Sequence, residues 1–377
     1  MGADADVAVV GAGPVGSALA IMLGRSGLRT VLLERGRFPR DKPCGEGLLP
    51  SGVRVLEELA VPLEGFPALA GVSYRVPSAG AAGGRFPEGG IGRGTRRVAL
   101  DELLAGCAAQ TSGVDLDLGC ELLALACTPG AVRIGTSKGE LTARFVVGAD
   151  GLRSRTARLM GWARPPRGHR YALVGHLHAP GHRFDRIVIT LLGDCELYLA
   201  PTAGDELLVA VLGSKARLRR GGETVRAAYE RRLRDAHAEL AGCEFSRVKG
   251  AGPFWIRPST VAAGRVFLAG DAAGFLDPLT GDGMSAGLVA ARALAAILAE
   301  PDPQAAARYR RGDRARWRRR VFVTRLALAI TGSPALAGRA IRGLGRRPGA
   351  LERLLAMNDG GSPLSVSPLD WAALAGI

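Results

Sequence analysis

The sequence predicts an α/β fold made of a parallel-sheet domain, an inserted antiparallel sheet and a helical C-terminus. Residues 6–35 are spaced as a strand, a glycine turn, a helix and a second strand, the pattern of a parallel unit. Residues 169–213 alternate apolar and polar side chains, which is typical of antiparallel strands. From Gln304 onward the pattern is helical, with breaks at 332–334 and 347–349. A chain of 377 residues can hold one large or two ordinary domains.

The glycine turn after the first apolar strand is the most informative local motif. It runs Gly11-Ala12-Gly13-Pro14-Val15-Gly16 and leads directly into the helix. In this spacing Gly11 makes the tight turn, Gly13 lets a pyrophosphate approach the backbone, and Gly16 lets helix and strand pack closely. Pro14 and Val15 open the helix, whose N-terminus offers free N–H groups and a positive dipole to phosphates.

An acidic residue closes the second strand. Glu34 follows Gly11 by 23 residues, the place from which a carboxylate accepts the hydroxyls of an adenosine ribose. Arg35, the next residue, is assigned to the same site. The alternative, a tight glycine turn in an α/β protein without a ligand, leaves Glu34 unexplained. The region therefore predicts a dinucleotide-binding site.

The order of the patterns predicts that one domain is interrupted by the other. Apolar strands that end in Gly/Asp turns recur at 146–151 and 264–271, and each precedes a helix. The antiparallel pattern lies between them. The predicted parts are a discontinuous nucleotide-binding domain, an inserted sheet domain and a C-terminal segment, formed by residues 1–70, 95–165 and 250–300, by residues 71–94 and 166–249, and by residues 301–377, respectively.

The net charge of +15 is concentrated in the C-terminal third. The arginines there are Arg308, Arg310, Arg311, Arg314, Arg316, Arg318, Arg319, Arg320, Arg325, Arg339, Arg342, Arg346 and Arg347. They fit a solvated helix face, or a surface that contacts an anionic membrane or a carrier protein. Nucleic acid is the least favoured partner, because few aromatic residues are interleaved with the arginines.

Cysteine and histidine spacing predicts neither a disulfide framework nor a metal site. The six cysteines include no Cys-x-x-Cys pair, so we expect reduced thiols. His176 and His178 share a strand face, but no third ligand is near them in the sequence. No basic apolar leader and no apolar run of about 18 residues occurs, so we expect a cytoplasmic protein that at most touches a membrane peripherally.

Three motifs in order give the sequence a family resemblance from Asp6 to Ala299. They are the glycine turn, the Asp150-Gly151 turn with its arginines, and Asp271 followed by a proline and a glycine-rich turn. Together they resemble the FAD-dependent superfamily of para-hydroxybenzoate hydroxylase-type monooxygenases, geranylgeranyl reductases and flavin-dependent halogenases. The resemblance implies FAD as cofactor and a Rossmann-like FAD-binding domain of glutathione reductase type with an inserted substrate-binding sheet.

The resemblance also implies roles for single residues. Asp271 would bind the ribityl chain, and Arg97, in an Arg-x-x-Leu-Asp stretch, would contact the pyrophosphate region. Asp150 would shape the pyrophosphate and nicotinamide side. Taken one at a time, these residues also fit a helix cap, a surface ion pair and a turn.

The turn before the alanine-rich helix is assigned to the flavin ring. Free N–H groups of Gly281, Gly283 and Met284 would stabilise negative charge on the reduced flavin, because they open a helix. Pro278 would form a wall on the substrate side of the ring. We therefore assign Pro278, Gly283 and Met284 to the catalytic site as well.

The run Lys42-Pro43-Cys44-Gly45-Glu46-Gly47 resembles a segment of geranylgeranyl reductase-like proteins that passes near the flavin ring. The resemblance makes Cys44 a candidate catalytic residue facing the substrate cavity and Gly45 a candidate cofactor contact. The alternative is that Cys44 is a small buried thiol without a chemical role.

The function predicted first is monooxygenation. FAD reduced by NAD(P)H would use O2 to hydroxylate or epoxidise an aromatic, polyketide or other hydrophobic small molecule. The first alternative is a flavin-dependent C=C reductase of the geranylgeranyl reductase type. A halogenase-like or oxidase enzyme of secondary metabolism is less favoured, since the paired tryptophans of halogenases are replaced by residues 196–201. A basic scaffold that keeps FAD only structurally is the non-enzymatic alternative.

Overall fold

The computed structural model describes residues 3–300, 302–347 and 349–376. The strands in these residues are β1 (Ala5–Val10), β2 (Thr30–Glu34), β3 (Gly47–Leu48), β4 (Ala68–Leu69), β5 (Gly71–Val76), β6 (Gly80–Arg85), β7 (Gly92–Gly94), β8 (Val114–Leu118), β9 (Leu122–Cys127), β10 (Val132–Thr136), β11 (Gly139–Gly148), β12 (Arg170–His178), β13 (Ile187–Leu191), β14 (Glu196–Ala203), β15 (Glu206–Ser214), β16 (Lys249–Ala251), β17 (Ala262–Ala263) and β18 (Val266–Leu268).

The helices in the same part of the chain are α1 (Pro14–Arg25), α2 (Pro50–Glu58), α3 (Arg97–Ala109), α4 (Arg155–Leu159), α5 (Lys215–Leu218), α6 (Val225–Ala236), α7 (Gly283–Ala299), α8 (Ala305–Thr331), α9 (Pro334–Arg346), α10 (Ala350–Asn358) and α11 (Pro368–Ala375). The predicted breaks at 332–334 and 347–349 fall between α8, α9 and α10. The prediction of helix throughout the C-terminus is wrong for residues 359–367, which form no α-helix.

The first sheet is the predicted parallel one. Its strand order is β17-β18-β11-β1-β2-β8, and β1 runs parallel to both β2 and β11. Val9 is paired with Leu32 on one side and with Val147 on the other, and all three side chains are buried. Strands that are apolar along their whole length suit a sheet covered by helices on its faces. The β9-β10-β11 meander extends this sheet in antiparallel fashion.

The second sheet has the order β16-β12-β15-β14-β13-β5-β6 and is antiparallel except between β13 and β5. Side chains alternate between its two faces. Ile189 and Tyr198 belong to the apolar cluster on one face, and Val188 and Leu199 to the cluster on the other, which α6 covers. We call the face that bears Tyr198 the inner face, because Leu279 from the turn before α7 joins the same cluster.

The strand β6 is absent from the sequence prediction, because its Gly-Ala-Ala-Gly-Gly-Arg run carries no strand pattern. The structure gives the reason for its small residues. A Cβ atom on Gly84 would lie 3.1 Å from Leu351 Cγ of α10, so the bare backbone lets that helix pack on the sheet. The helices α9 and α10 thereby cover part of the inner face.

The fold class is the predicted one: an α/β protein with a Rossmann-like domain, an inserted sheet and a helical C-terminus. The exact domain boundaries stay a prediction; β16, at Lys249–Ala251, pairs with the second sheet and spans the predicted boundary at 249–250. In the described residues no single helix is long and apolar enough to cross a membrane, whereas α8 and α9 together meet that criterion with a bend of 106° between them.

Candidate active site

Of the three glycines in the turn, two are required by the packing of the protein, and one leaves room for a ligand. Gly11 has φ +103°, and a Cβ atom on it would lie 2.7 Å from the carbonyl oxygen of Ala149. A Cβ atom on Gly16 would lie 1.9 Å from the Gly11 oxygen. On Gly13, in contrast, the nearest atoms would be the Arg40 and Arg97 guanidinium groups at 3.7 and 3.9 Å. The protein alone therefore explains Gly11 and Gly16, and a close ligand explains Gly13.

The start of α1 offers free backbone donors beside that space. Gly13 is the N-cap, and the first intrahelical bond runs from the Ser17 N–H to the Gly13 oxygen. Pro14 has no N–H, so the N–H groups of Val15 and Gly16 are the ones without an intrahelical acceptor. This end of the helix is suited to bind phosphate.

Glu34 lies where the sequence places it, at the end of β2 next to the glycine turn. Its carboxylate is buried and accepts hydrogen bonds from the Ala12 N–H at 3.0 Å and the Gly36 N–H at 2.9 Å. Arg35 is exposed and makes no ion pair in the described part of the chain. The role of Arg35 in cofactor binding stays a prediction.

Arg40 is a site residue that the sequence prediction missed. Its Nη2 lies 3.2 Å from Glu34 Oε2 and 3.4 Å from Asp101 Oδ2, yet Nε and Nη2 are buried without a hydrogen-bond partner in the described structure. Arg97 binds Asp101 through two hydrogen bonds, of 2.7 and 2.8 Å. Burial and the charges of these two arginines lower the pKa of Lys42. Arg40, which has unused donors, and Arg97 therefore border the space at Gly13, with Lys42 close to both, and this set fits the pyrophosphate of FAD.

The two strand-end aspartates lie close to the glycine turn. A Cβ atom on Gly11 would lie 2.9 Å from the Asp150 Cα. One oxygen of Asp150 accepts two hydrogen bonds from Thr156, and the other is buried without a partner in the described structure. Burial raises the pKa of Asp271, while the charges of Arg320, Arg97 and Lys42 act in the opposite direction.

The turn before α7 has the predicted shape, with one correction. The Gly283 and Met284 N–H groups have no intrahelical acceptor, because the first bond of α7 runs from Ala286 to Asp282. The Gly281 N–H is not free: it donates to the Pro278 oxygen at 3.0 Å. Gly281 has φ +64°, and a Cβ atom there would lie 2.8 Å from the Tyr198 hydroxyl. Its contribution is therefore conformation and close approach, not a free donor.

The C-terminal helix α8 reaches this turn, which the sequence did not indicate. Arg320 Nε donates to Asp282 Oδ2 at 2.7 Å. A cleft of about 750 Å³, open solvent included, lies between the start of α7, the Asp271 turn and α8. Asp271, Gly283 and Trp317 are among its lining residues.

Tyr198 and Gly281 lie together on the side of the site that faces the second sheet, with Cys44 near enough to influence the Tyr198 hydroxyl. Burial raises the pKa of the Cys44 thiol above its usual range. Tyr198 is 4% exposed, burial raises its pKa, and Tyr74, Cys44 and Asp282 are near enough to raise it further. Burial also raises the pKa of Tyr74 to about 12. This side of the site holds protonated, uncharged groups at neutral pH.

Glu46 holds the Cys44 loop against both domains. Its φ is +54°, its Oε1 accepts from the Arg97 N–H at 2.9 Å, and its Oε2 lies 2.8 Å from His176 Nε2. The Arg96 guanidinium lies against the same imidazole, with Nη1 2.8 Å from Nε2. Gly45 accepts from the Gly47 N–H at 2.7 Å. His176 is therefore part of an ion network, and in the described residues no group of three potential metal ligands occurs.

A family model described as FAD binding domain matches residues 4–65 and 98–326, which include the first sheet, the second sheet except β5 and β6, and most of α8. The chain belongs to this FAD-binding family. The match leaves out residues 66–97, which include Arg97. The chain is therefore an FAD-dependent enzyme of the monooxygenase and oxidoreductase class.

Curated relatives and solved structures agree with this assignment. The chain is 29% identical over 331 residues to a menaquinone reductase of Mycobacterium tuberculosis, which covers 79% of this chain and 77% of the relative. It is 34% identical to a 3-(3-hydroxy-phenyl)propionate/3-hydroxycinnamic acid hydroxylase of Mycobacterium avium over 194 residues, 42% of this chain and 31% of the relative. A flavoprotein/dehydrogenase from Cytophaga hutchinsonii has the same fold, with a TM-score of 0.83 at 20% identity and coverage of 94% and 92% of the two chains.

Proposed function

We propose that the chain is an NAD(P)H-dependent FAD monooxygenase that transfers one atom of O2 to a hydrophobic small molecule, the other atom leaving as water. The observation that carries the proposal is the inner face of the second sheet where it meets the cofactor site. Tyr198, Ile187, Ile189 and Leu279 are each at most 4% exposed there. These side chains pack together in one apolar cluster, and apolar surroundings beside the flavin would favour an apolar substrate and exclude water from the reaction.

The cofactor supplies the redox chemistry when bound, and the chain's own residues bind the cofactor and orient the substrate. Gly13, Arg40, Lys42 and Arg97 would hold the pyrophosphate, and Glu34 the adenosine ribose. The Gly283 and Met284 N–H groups would face negative charge at the ring end, where a helix N-terminus is favourable. The inner face would position the substrate carbon that reacts.

Similarity to hydroxylases supports this reaction class. The Mycobacterium avium relative is a hydroxylase by name, and a squalene epoxidase of Aspergillus fumigatus is 43% identical over 74 residues. Both relatives match only part of the chain. They therefore support the kind of reaction and leave the substrate to experiment.

A second candidate, C=C reduction, is favoured by a specific observation at Cys44. Reduction of a double bond needs a proton on one carbon as well as a hydride on the other. The Cys44 thiol, kept protonated by burial, lies between Arg97 and the Tyr198 side of the site and would be such a donor. Relatives that match 79% of this chain and 77% of their own length are named menaquinone reductases.

The experiment is product mass. The purified FAD-loaded chain, NADPH or NADH and a host metabolite extract are incubated in air and, in parallel, without oxygen. An oxygen-dependent gain of about 16 mass units supports monooxygenation, and an oxygen-independent gain of about 2 supports reduction, since the outcome reports where the electrons of the reductant go. If neither product forms from the extract while the chain still binds FAD, both proposed reactions are contradicted.

A further inference from the structure

One face of α8 is a continuous stripe of exposed side chains. The spacing of three and four residues puts them within a narrow arc of the helix. The stripe consists of Arg311, Arg314, Arg318, Phe322, Arg325 and Ala329, all exposed. The helix therefore turns four arginines and one phenylalanine toward solvent on the same side.

Three of the four arginines of this stripe are not used by the fold, whereas Arg325 lies over the Trp255 ring, 5.5 Å from its centroid. In the described part of the chain, Arg311, Arg314 and Arg318 form no ion pair and no side-chain hydrogen bond, whereas Arg308 binds Asp302 at 3.0 Å and Arg320 binds Asp282 at 2.7 Å. Unpaired like charges along one helix repel each other. An anionic partner would offset this repulsion.

Apolar side chains continue the stripe. Phe322 is 49% exposed and contacts Trp371 of α11 edge to face, with ring centroids 6.2 Å apart. Leu369, also on α11, is 63% exposed, and Leu364, in the turn that precedes it, is 94% exposed. We call Arg311, Arg314, Arg318, Phe322, Arg325 and Trp371 the docking face.

We propose that the docking face binds the surface of an anionic phospholipid bilayer. Arginine stems lie along apolar surface while their guanidinium groups reach phosphates, and exposed leucine and aromatic side chains enter the boundary between headgroups and acyl chains. A second copy of the chain is a poorer occupant. In a two-fold interface the same patch meets itself, so the unpaired arginines would face each other. The inference goes beyond the proposed function and does not depend on it.

The test is binding of the FAD-loaded full chain to phosphatidylcholine vesicles with and without phosphatidylglycerol. We expect binding to the anionic vesicles only, weakened by added salt because the charges are exposed. Arg318→Gln should weaken binding about fivefold, as expected for one arginine near an anionic surface. Phe322→Ser should also weaken binding, because it removes the exposed aromatic side chain of the docking face.

Matched variants separate the docking face from charge and exposed apolar area in general. Arg133 and Arg164 are exposed and unpaired in the described structure but lie in other regions, and Leu123, 42% exposed, is on β9. The double variant R314Q/R318Q should bind less than R133Q/R164Q, which has the same net charge, and F322S less than L123S. Flavin absorbance and thermal unfolding show that all variants remain folded.

Three results overturn the proposal. The first is equal binding by both arginine double variants, which would assign the effect to net charge. The second is binding to neutral vesicles as strong as to anionic ones, or no binding to either. The third is a wild-type dimer in solution that F322S converts to a monomer, which would assign the face to a second copy.

Discussion

The cofactor side and the substrate side of the site are built in different ways. On the cofactor side, Gly11, Gly13 and Gly16 lie within six consecutive residues. Glu34 contacts the same turn by accepting a hydrogen bond from the Ala12 N–H. On the substrate side, Cys44, Tyr198 and Gly281 come from three distant segments. The first side is fixed by local backbone shape, and the second by how two sheets and the C-terminal helices pack. Changes on one side should therefore leave the other largely intact.

The largest effect that tests this comparison is expected from Gly13→Val. The protein leaves space at Gly13, so the variant should fold, but its side chain would occupy the place of the pyrophosphate. We expect folded, colourless protein, measured by flavin absorbance of the purified chain and by circular dichroism. Yellow protein with a full complement of FAD would contradict the assigned site.

Gly16→Val is the matched contrast within the same turn. A Cβ atom at Gly16 would lie 1.9 Å from the Gly11 oxygen, so the turn and α1 could not pack as they do. This variant should lose thermal stability even when no FAD is present. Gly106→Ala, in α3 where nothing lies within 4 Å of the added atom, should retain both FAD and stability.

The next largest effect is expected on the substrate side, from Cys44→Ala. FAD content should fall little: the Cys44 thiol lies beside the Arg97 guanidinium, but Arg97 keeps its two hydrogen bonds to Asp101 when the thiol is removed. If the thiol is the proton donor, turnover should fall about 100-fold or more, and Cys44→Ser should restore part of it. Cys243→Ala, a half-buried free thiol in the inserted sheet domain, is the control. Unchanged turnover of Cys44→Ala with the true substrate would remove this residue from the reaction.

The features that the sequence could predict lie mainly on the cofactor side of the site. Gly11, Gly16 and Glu34 act through backbone geometry over a short stretch, so their spacing alone indicated the fold and the kind of cofactor. The pairing of Glu46 with His176 could not be predicted, because 130 residues separate the two and only the packing of β12 against the Cys44 loop joins them. The sequence signal for this pair was the acidic residue Glu46 inside the Pro-Cys-Gly-Glu-Gly run. Likewise nothing in β14 distinguishes Tyr198 from an ordinary buried residue until Gly281 is placed beside it.

A smaller effect, again on the cofactor side, is expected from Arg40→Gln. Arg40 lies outside the glycine motif, and its buried Nε and Nη2 have no hydrogen-bond partner in the described residues. Because hydrogen bonds to charged groups contribute about 1.5–3 kcal/mol, FAD should bind roughly 10- to 150-fold more weakly. Quenching of flavin fluorescence measures the affinity. Arg35→Gln, an exposed neighbour, should change it little, and an equal loss in both variants would mean that position matters less than charge.

The smallest effect is a pH dependence that Lys42 gives to FAD affinity. Burial and the charges of Arg40 and Arg97 lower the Lys42 pKa in the ligand-free chain, and a bound pyrophosphate would raise it again. A group whose pKa is higher in the bound state gives full affinity below its ligand-free pKa and loses affinity as the pH rises through the bound-state value. Each unit of that difference is worth about tenfold in affinity.

The FAD dissociation constant, measured from neutral to alkaline pH while circular dichroism remains unchanged, should therefore rise with pH in the wild type. Lys42→Arg, which stays charged, should flatten the curve, and Lys42→Met should bind weakly at every pH. Lys138→Met is the control. Lys138 lies in the turn between β10 and β11, outside the glycine turn, and its Nζ is 2.5 Å from Asp117 Oδ1. A wild-type affinity that does not change with pH would mean that Lys42 does not contact the pyrophosphate and that, of these three cations, only Arg40 and Arg97 bind it.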